Sequence, residues 1–126
     1  MVLRNSGPQE LLREDVGKVA LLTLNRPEAR NALSESLLSE MLAALEEIRK
    51  DESIHVVVLR ATGPAFSAGH DLKEVITNRD REFYERLFAK CTETMTAIQE
   101  LPQPVIAAVQ GVATAAGCQL VATCDL

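Results

Sequence analysis

The sequence predicts an α/β fold in which a parallel sheet is flanked by helices. Two short runs, "IHVVVLR" at 54–60 and "VIAAV" at 105–109, are apolar without strict alternation, which is typical of strands covered on both faces. Helical patterns alternate with these runs, in the order strand, helix, strand, helix, strand, helix. A length of 126 residues fits one domain.

The first predicted element is a β-hairpin in "LLREDVGKVALLTLN", residues 11–25, after an N-terminal extension of residues 1–10. Its turn is expected at 15–18, where Gly17 can adopt a positive φ. The segment "RPEARNAL" then follows as a loop, because Pro27 and Asn31 favour irregular backbone.

Two amphipathic helices are predicted next. Ser34 is a suitable N-cap for the first, which ends near Arg49 and Lys50, and its apolar residues recur at steps of three and four. The second runs from about Asp80 to Glu100 and stops at the prolines that follow. Its predicted inner face comprises Phe83, Leu87, Phe88, Cys91, Met95 and Ile98.

A small-residue turn is predicted after each buried strand: "FSAGHDL" after the first and "GVATAAGCQL" after the second. Asp71 begins a short helix after the first turn, and a small-residue helix follows the second. Since ligands bind at the carboxyl ends of parallel strands, and helix N-termini offer free N–H groups there, two such turns can direct two amides at one oxygen. Close packing of a helix against a strand is the alternative explanation for the small residues.

Three segments together resemble the enoyl-CoA hydratase/isomerase (crotonase) superfamily: "NRPEARNAL", "GPAFSAGHDLKE" and "PVIAAVQGVATAAGCQLVATCDL". The resemblance extends from about Leu11 to Leu126. It implies a crotonase-like spiral of ββα units, of which residues 11–126 would form the N-terminal part, with the C-terminal half absent. It also implies trimers or hexamers that act on acyl-CoA or enoyl-CoA thioesters in fatty acid metabolism, as lyases or isomerases.

The resemblance also implies roles for individual residues. The backbone amides of Ala68 and Ala116 match the oxyanion hole, which stabilises a thioester enolate. The CoA site is implied to include Ala29, Arg30, Ala68, Gly69, His70 and Asp71. Coenzyme A would enter as part of the substrate, so no separate cofactor is expected.

One position departs from the hydratase pattern. Gln119 stands where family hydratases carry a glutamate that acts as general acid and base, and a carboxamide cannot exchange a proton near neutral pH. The second hydratase glutamate would lie beyond Leu126. Hydration is therefore doubtful from the sequence, and His70 remains a candidate acid, base or CoA contact.

Composition excludes several other functions. A net charge of −5 argues against a nucleic-acid surface, and no apolar run is long enough to span a bilayer. The three cysteines lack metal-binding spacing, so no metal is expected, and reduced thiols indicate a cytoplasmic compartment. We find no signal or transit peptide at the start; a mitochondrial matrix location would require a presequence outside this chain.

Three functional hypotheses follow. The first is an enzyme of the enoyl-CoA hydratase/isomerase type. The second is an acyl-CoA-binding homologue that is weak or inactive, because Gln119 replaces the acid. The third is an incomplete polypeptide without independent activity, since the sheet lacks a C-terminal covering element.

Overall fold

The elements alternate between strands and helices along the chain. A computed structural model describes residues 2–3 and 9–126. The order is β1 (Val2–Leu3), β2 (Leu11–Val16), β3 (Val19–Leu24), a 3-10 turn (Pro27–Ala29), α1 (Glu35–Arg49), β4 (Val56–Ala61), β5 (Ala65–Ser67), α2 (Leu72–Thr77), α3 (Arg81–Glu100), β6 (Val105–Ala107), β7 (Val112–Ala113) and α4 (Ala116–Thr123).

Five strands form the main sheet, in the order β1–β2–β3–β4–β6. The predicted hairpin is confirmed: β2 and β3 pair antiparallel, and Gly17 in their turn has φ +59°. Strands β3, β4 and β6 pair parallel, as the sequence predicts. Strand β1 pairs with β2, so residues 2–3 of the expected N-terminal extension join the sheet edge; residues 1 and 4–8 of that extension lie outside the described range.

The core lies between one face of this sheet and helices α1 and α3. Helix α1 begins as predicted, with the Ser34 hydroxyl accepting a hydrogen bond from the Leu37 amide at 3.1 Å. Helix α3 likewise begins after Asp80, whose side chain accepts from the Glu82 amide. Both helices bury an apolar stripe. Its fully buried members include Leu37, Leu38, Met41, Ile48 and Leu87.

Two details of the predicted core are wrong. Strand β4 is buried on one face only: Val57 and Leu59 are inside, whereas Val58 is half-buried and Arg60 is exposed. The described helices cover just one side of the sheet here. Phe88 is 50% exposed, because it lies one residue beyond the buried stripe of α3, where Thr94 is buried instead.

A second, two-stranded sheet carries the small-residue turns. Strands β5 and β7 pair parallel, so each turn follows this extra strand rather than β4 or β6 as predicted. Each long strand is thus followed by a short strand and then by a helix, giving the units β4–β5–α2 and β6–β7–α4. This is the ββα repeat that the resemblance implies, and the pairing of β5 with β7 sets the two turns side by side.

Candidate active site

The two small-residue turns touch each other. The Thr114 amide donates a hydrogen bond to the Ser67 carbonyl at 3.1 Å, which extends the pairing of β5 with β7 into the turns. Gly69, with φ +93°, lies so close to the second turn that an added Cβ would sit 3.2 Å from the Ala116 nitrogen. A Cβ here would make unusually tight contacts with the second turn, and the positive φ favours glycine, so both the space and the conformation disfavour a side chain.

The amide of Ala68 is not available to a ligand. It donates a hydrogen bond to the Arg30 carbonyl at 3.0 Å. The assignment of this amide to an oxyanion hole is therefore corrected, because a peptide N–H that already has a protein acceptor cannot stabilise a substrate oxygen as well. Ala68 instead joins the first turn to the loop at 26–33.

The amide of His70 is the free donor of the first turn. The Gly69 carbonyl accepts a hydrogen bond from the Leu33 amide at 2.7 Å. In a trans peptide the carbonyl and the following N–H point in opposite directions, so this bond turns the His70 N–H away from Leu33. Among the acceptors of residues 9–126, none takes a hydrogen bond from this amide.

The amide of Ala116 is oriented by the same principle. The Ala115 carbonyl accepts from the Gln119 amide at 3.1 Å, so the Ala116 N–H points out of the N-terminal end of α4. This amide also has no acceptor within the described part of the chain. Ala115 adopts φ 52° and ψ −126°, an arrangement that L residues rarely accept. The second turn therefore stores backbone strain where its free amide emerges.

A groove of about 660 Å³ runs along the first turn. Five of the six predicted CoA-site residues line it: Ala29, Arg30, Ala68, His70 and Asp71. The sixth, Gly69, is buried beneath them between the turns. A second hollow of about 320 Å³ shares Arg30 and Ala68 and extends toward β7. The structure thus brings the predicted residues together, and whether CoA binds there stays a prediction.

Arg26 organises the charges at this groove. Its guanidinium contacts the Asp71 carboxylate at 3.1 Å, the Glu10 carboxylate at 3.3 Å and the Ala32 carbonyl at 3.0 Å. Burial raises the pKa of Asp71, but the hydrogen bonds from Arg26 and from the first amides of α2 outweigh burial, and the net pKa is lowered. Both Asp71 oxygens are occupied in this way, so the carboxylate serves as a helix cap.

The His70 side chain also lines the groove. Burial lowers the pKa of its imidazole, against the opposing effects of the Leu33 main chain and Glu74, and so favours the neutral ring. Its Nδ1 atom is buried without a hydrogen-bond partner in the described residues. The ring packs edge-on against Phe88, with ring centroids 5.2 Å apart. The exposed Phe88 therefore has a packing partner in the His70 ring.

Gln119 lies on α4, one helical turn after Ala116. Its backbone amide donates to the Ala115 carbonyl, so Gln119 belongs to the first turn of the helix that begins at the free Ala116 amide. The side chain is exposed, and its carboxamide makes no hydrogen bond to another of the described residues. It can hold water by hydrogen bonds but cannot transfer a proton.

The sequence reasoning did not identify the contacts of one buried polar residue in this region. Asn31 is fully buried and its carboxamide contacts Thr62, Ala65 and Arg26. The signal available was an asparagine after a 3-10 turn, which we used only to predict a loop. Thr62 and Ala65 are more than thirty residues away in sequence, so local pattern alone could not reveal these two contacts.

The remaining reactive groups add little to the site. The three cysteines are free thiols, and burial together with Asp125 raises the pKa of Cys124 to about 11. Over the described ranges, no cluster of three or more His, Cys, Asp or Glu side chains could hold a metal ion. None of the helices found there is long and apolar enough to cross a membrane.

Comparison with known proteins identifies the family. The enoyl-CoA hydratase/isomerase family matches residues 14–126. The chain is 45% identical over 115 residues to the zebrafish (Danio rerio) enoyl-CoA hydratase domain-containing protein 3, mitochondrial, covering 91% of this chain and 40% of that protein. It is 42% identical to the putative enoyl-CoA hydratase/isomerase YngF of Bacillus subtilis, covering 86% of this chain and 42% of that protein.

Solved structures agree with the sequence matches. An enoyl-CoA hydratase from Mycobacterium smegmatis superposes with a TM-score of 0.91 at 57% identity, over 94% of this chain and 47% of that chain. Human enoyl-CoA hydratase domain-containing protein 3 gives a TM-score of 0.90 at 36% identity, over the same 94% and 47%. The present chain spans about 40% of the length of the curated relatives. The crotonase fold is confirmed for this N-terminal part, and the chain belongs to the enoyl-CoA hydratase/isomerase family.

Proposed function

We propose that this chain supplies the oxyanion hole of an acyl-CoA thioester enzyme, with the amides of His70 and Ala116 as its two donors. The observation that carries the proposal is that these two amides lack acceptors in the described residues, on turns that are in contact. A thioester oxygen placed between them would gain negative charge as an enolate forms. Each donor of this kind contributes about 2.7–4 kcal/mol to transition-state stabilisation.

The groove supports a thioester of CoA over a smaller acyl donor. It runs from the His70 turn to the loop that carries Ala29 and Arg30, and it has room for an extended ligand. Arg30 and Lys73 are exposed at its rim, where their charged groups can bind phosphate groups at little cost in desolvation. No metal is needed for this chemistry, since main-chain dipoles stabilise the charge.

A second candidate function is acyl-CoA binding with little or no hydration. Gln119 favours it, because a carboxamide at this place on α4 cannot take a proton from the water molecule that would add to the substrate in hydration. A carboxylate elsewhere in a longer polypeptide would restore the first function. The same proposal includes assembly as a trimer or hexamer and a role in fatty acid metabolism. It also includes a location in the cytoplasm or the mitochondrial matrix.

The oxyanion hole is tested with butyryl-CoA labelled with ¹³C at the thioester carbonyl. The acyl group is saturated and therefore cannot be hydrated. Bound to the complete protein, the carbon should resonate downfield of free butyryl-CoA, because two hydrogen bonds polarise the carbonyl. Binding without a shift would remove the oxyanion hole from the proposal.

The two candidate functions are separated with crotonyl-CoA, by following the absorbance of the conjugated thioester. An enzyme consumes the absorbance, whereas a binder leaves it at the background rate while still shifting the ¹³C signal of butyryl-CoA. The variant Gln119→Glu should accelerate hydration if a second carboxylate is present in the complete protein. Cys118→Ala, an exposed neighbour on α4, is the matched control.

A further inference from the structure

Asn31 connects the groove loop to the strand that carries the first turn. Its Nδ2 donates to the Thr62 carbonyl at 2.8 Å and to the Ala65 carbonyl at 3.0 Å. Its Oδ1 accepts from the Arg26 amide at 2.7 Å. Both amide hydrogens and the carbonyl oxygen of this buried side chain are therefore in use, which is close to all that a carboxamide can form.

The main chain of Asn31 extends the same set of contacts. Its carbonyl accepts from the Ser67 hydroxyl at 2.9 Å, and its amide donates to the Arg26 carbonyl at 2.8 Å. The residue adopts φ 54°, directly after Arg30 at φ 52°. Asparagine tolerates this left-handed conformation better than most residues, so the backbone and the side chain both favour it here.

These contacts set the register between the loop and the first turn. On one side of Asn31, the Arg30 carbonyl accepts a hydrogen bond from the Ala68 amide; on the other, the Leu33 amide donates one to the Gly69 carbonyl. The second of these bonds is what turns the His70 N–H away from Leu33. A shift of the loop along β5 would exchange the acceptors and change which amide stays free.

We propose that Asn31 is a positioning residue that fixes the His70 amide in place for the thioester oxygen. The inference rests on the proposed function for its chemical meaning, since Asn31 does not itself line the groove. Its effect passes through Ser67 and the Arg30 carbonyl. An oxyanion donor must be held to within about 0.5 Å, which explains the use of a fully bonded buried carboxamide.

The chain offers a matched control for a merely structural role. Gln103 is another buried carboxamide, 7% exposed, and its Nε2 donates to the carbonyls of Ile48 and Ile54 at 2.8 and 3.2 Å. It stabilises the connection after α1, away from the groove. Loss of either carboxamide should lower the stability of the fold, whereas only Asn31 is connected to His70.

The experiment compares Asn31→Gly with Gln103→Ala in the complete protein. Glycine keeps the left-handed backbone accessible and removes only the side chain. We expect both variants to unfold at lower temperature. In Asn31→Gly alone, the Ala68 amide should exchange its hydrogen roughly tenfold faster, as its hydrogen bond to Arg30 loosens. The carbonyl signal of bound ¹³C-labelled butyryl-CoA should move back toward its free position in the same variant.

The proposal is overturned if Ala68 exchange is unchanged in Asn31→Gly, or if Gln103→Ala produces the same two effects. If Asn31→Gly does not fold, Asn31→Ser retains one donor and is measured in its place. A wild-type protein that leaves the butyryl-CoA signal unmoved contradicts the proposed function; the exchange of Ala68 still decides whether Asn31 positions the turn.

Discussion

Gly117 lies directly against Ser67: a Cβ added to the glycine would sit 2.3 Å from the Ser67 carbonyl oxygen and 2.8 Å from the Ser67 Cβ. This contact joins α4 to the end of β5, and so fixes the distance between the two free amides. No flexible side chain intervenes that could yield. The separation of the turns is therefore set by main-chain contact.

The variant Gly117→Ala should consequently push α4 away from β5. Overpacking of this kind costs about 1–3 kcal/mol of folding free energy, and the rigid carbonyl opposite places the cost at the upper end. Thermal unfolding measures the loss. Cys118→Ala, one residue along on the exposed side of α4, should leave the midpoint nearly unchanged.

Ala115 offers the opposite experiment, since its φ of 52° and ψ of −126° strain an L residue. Ala115→Gly should relieve this strain, and we expect a net gain of up to about 1 kcal/mol after the entropy of the unfolded glycine is subtracted. The same substitution at exposed Ala122, inside α4, should instead cost roughly 0.5–1 kcal/mol. Equal effects at the two positions, measured by denaturant unfolding, would contradict the strained backbone.

The lowered pKa of His70 makes a prediction for stability against pH. Burial depresses the pKa of this imidazole from its ordinary value of 6.5, so the unfolded chain binds the proton more tightly than the native one. His70 therefore has no effect on the pH dependence of the free energy of unfolding well above pH 6.5. Its protonation lowers that free energy as the pH drops from there toward the native pKa. In the variant His70→Gln, the melting temperature should decline less steeply than in the wild type between about pH 7 and 5. If the melting temperatures of the two proteins depend on pH in the same way, His70 does not have a lowered pKa.

The Arg26–Asp71 pair makes a prediction for a carboxylate. Removing the guanidinium in Arg26→Gln should raise the pKa of Asp71, because burial would then act with less opposition. The stabilisation that ionised Asp71 contributes at neutral pH would then be lost at a higher pH on acidification. A ¹³C NMR titration of the Asp71 carboxyl measures the change. Arg81→Gln, which breaks only the exposed pair with Glu85, is the control.

The sequence predicted the elements better than it predicted their contacts. Ser34, Asp71 and Asp80 act as the N-caps of their helices, since capping depends on residues a few positions away. The short strands β5 and β7 were missed, because two or three residues carry no period that a pattern can detect. Phe88 was placed inside by its apolar character alone, although the helical stripe passes beside it.

The site followed the same division. The sequence pattern placed the two small-residue turns side by side, as the pairing of β5 with β7 confirms, and the groove collects five of the six residues predicted for the CoA site. The amide that is free in the first turn is that of His70 and not that of Ala68, because which amide of a turn remains free depends on partners at Arg30 and Leu33. Such partners are more than thirty positions away, and no spacing within "FSAGHDL" reveals them.

The hydrogen bond from Ala68 to Arg30 has a further consequence for substrates of the proposed enzyme. The loop that would hold the nucleotide end of CoA is the same segment that keeps the reacting end in register. Binding of the nucleotide end of CoA and polarisation of the thioester carbonyl would then depend on the same loop. A thioester shortened to its pantetheine arm should accordingly turn over more slowly even at saturation, in addition to binding less tightly.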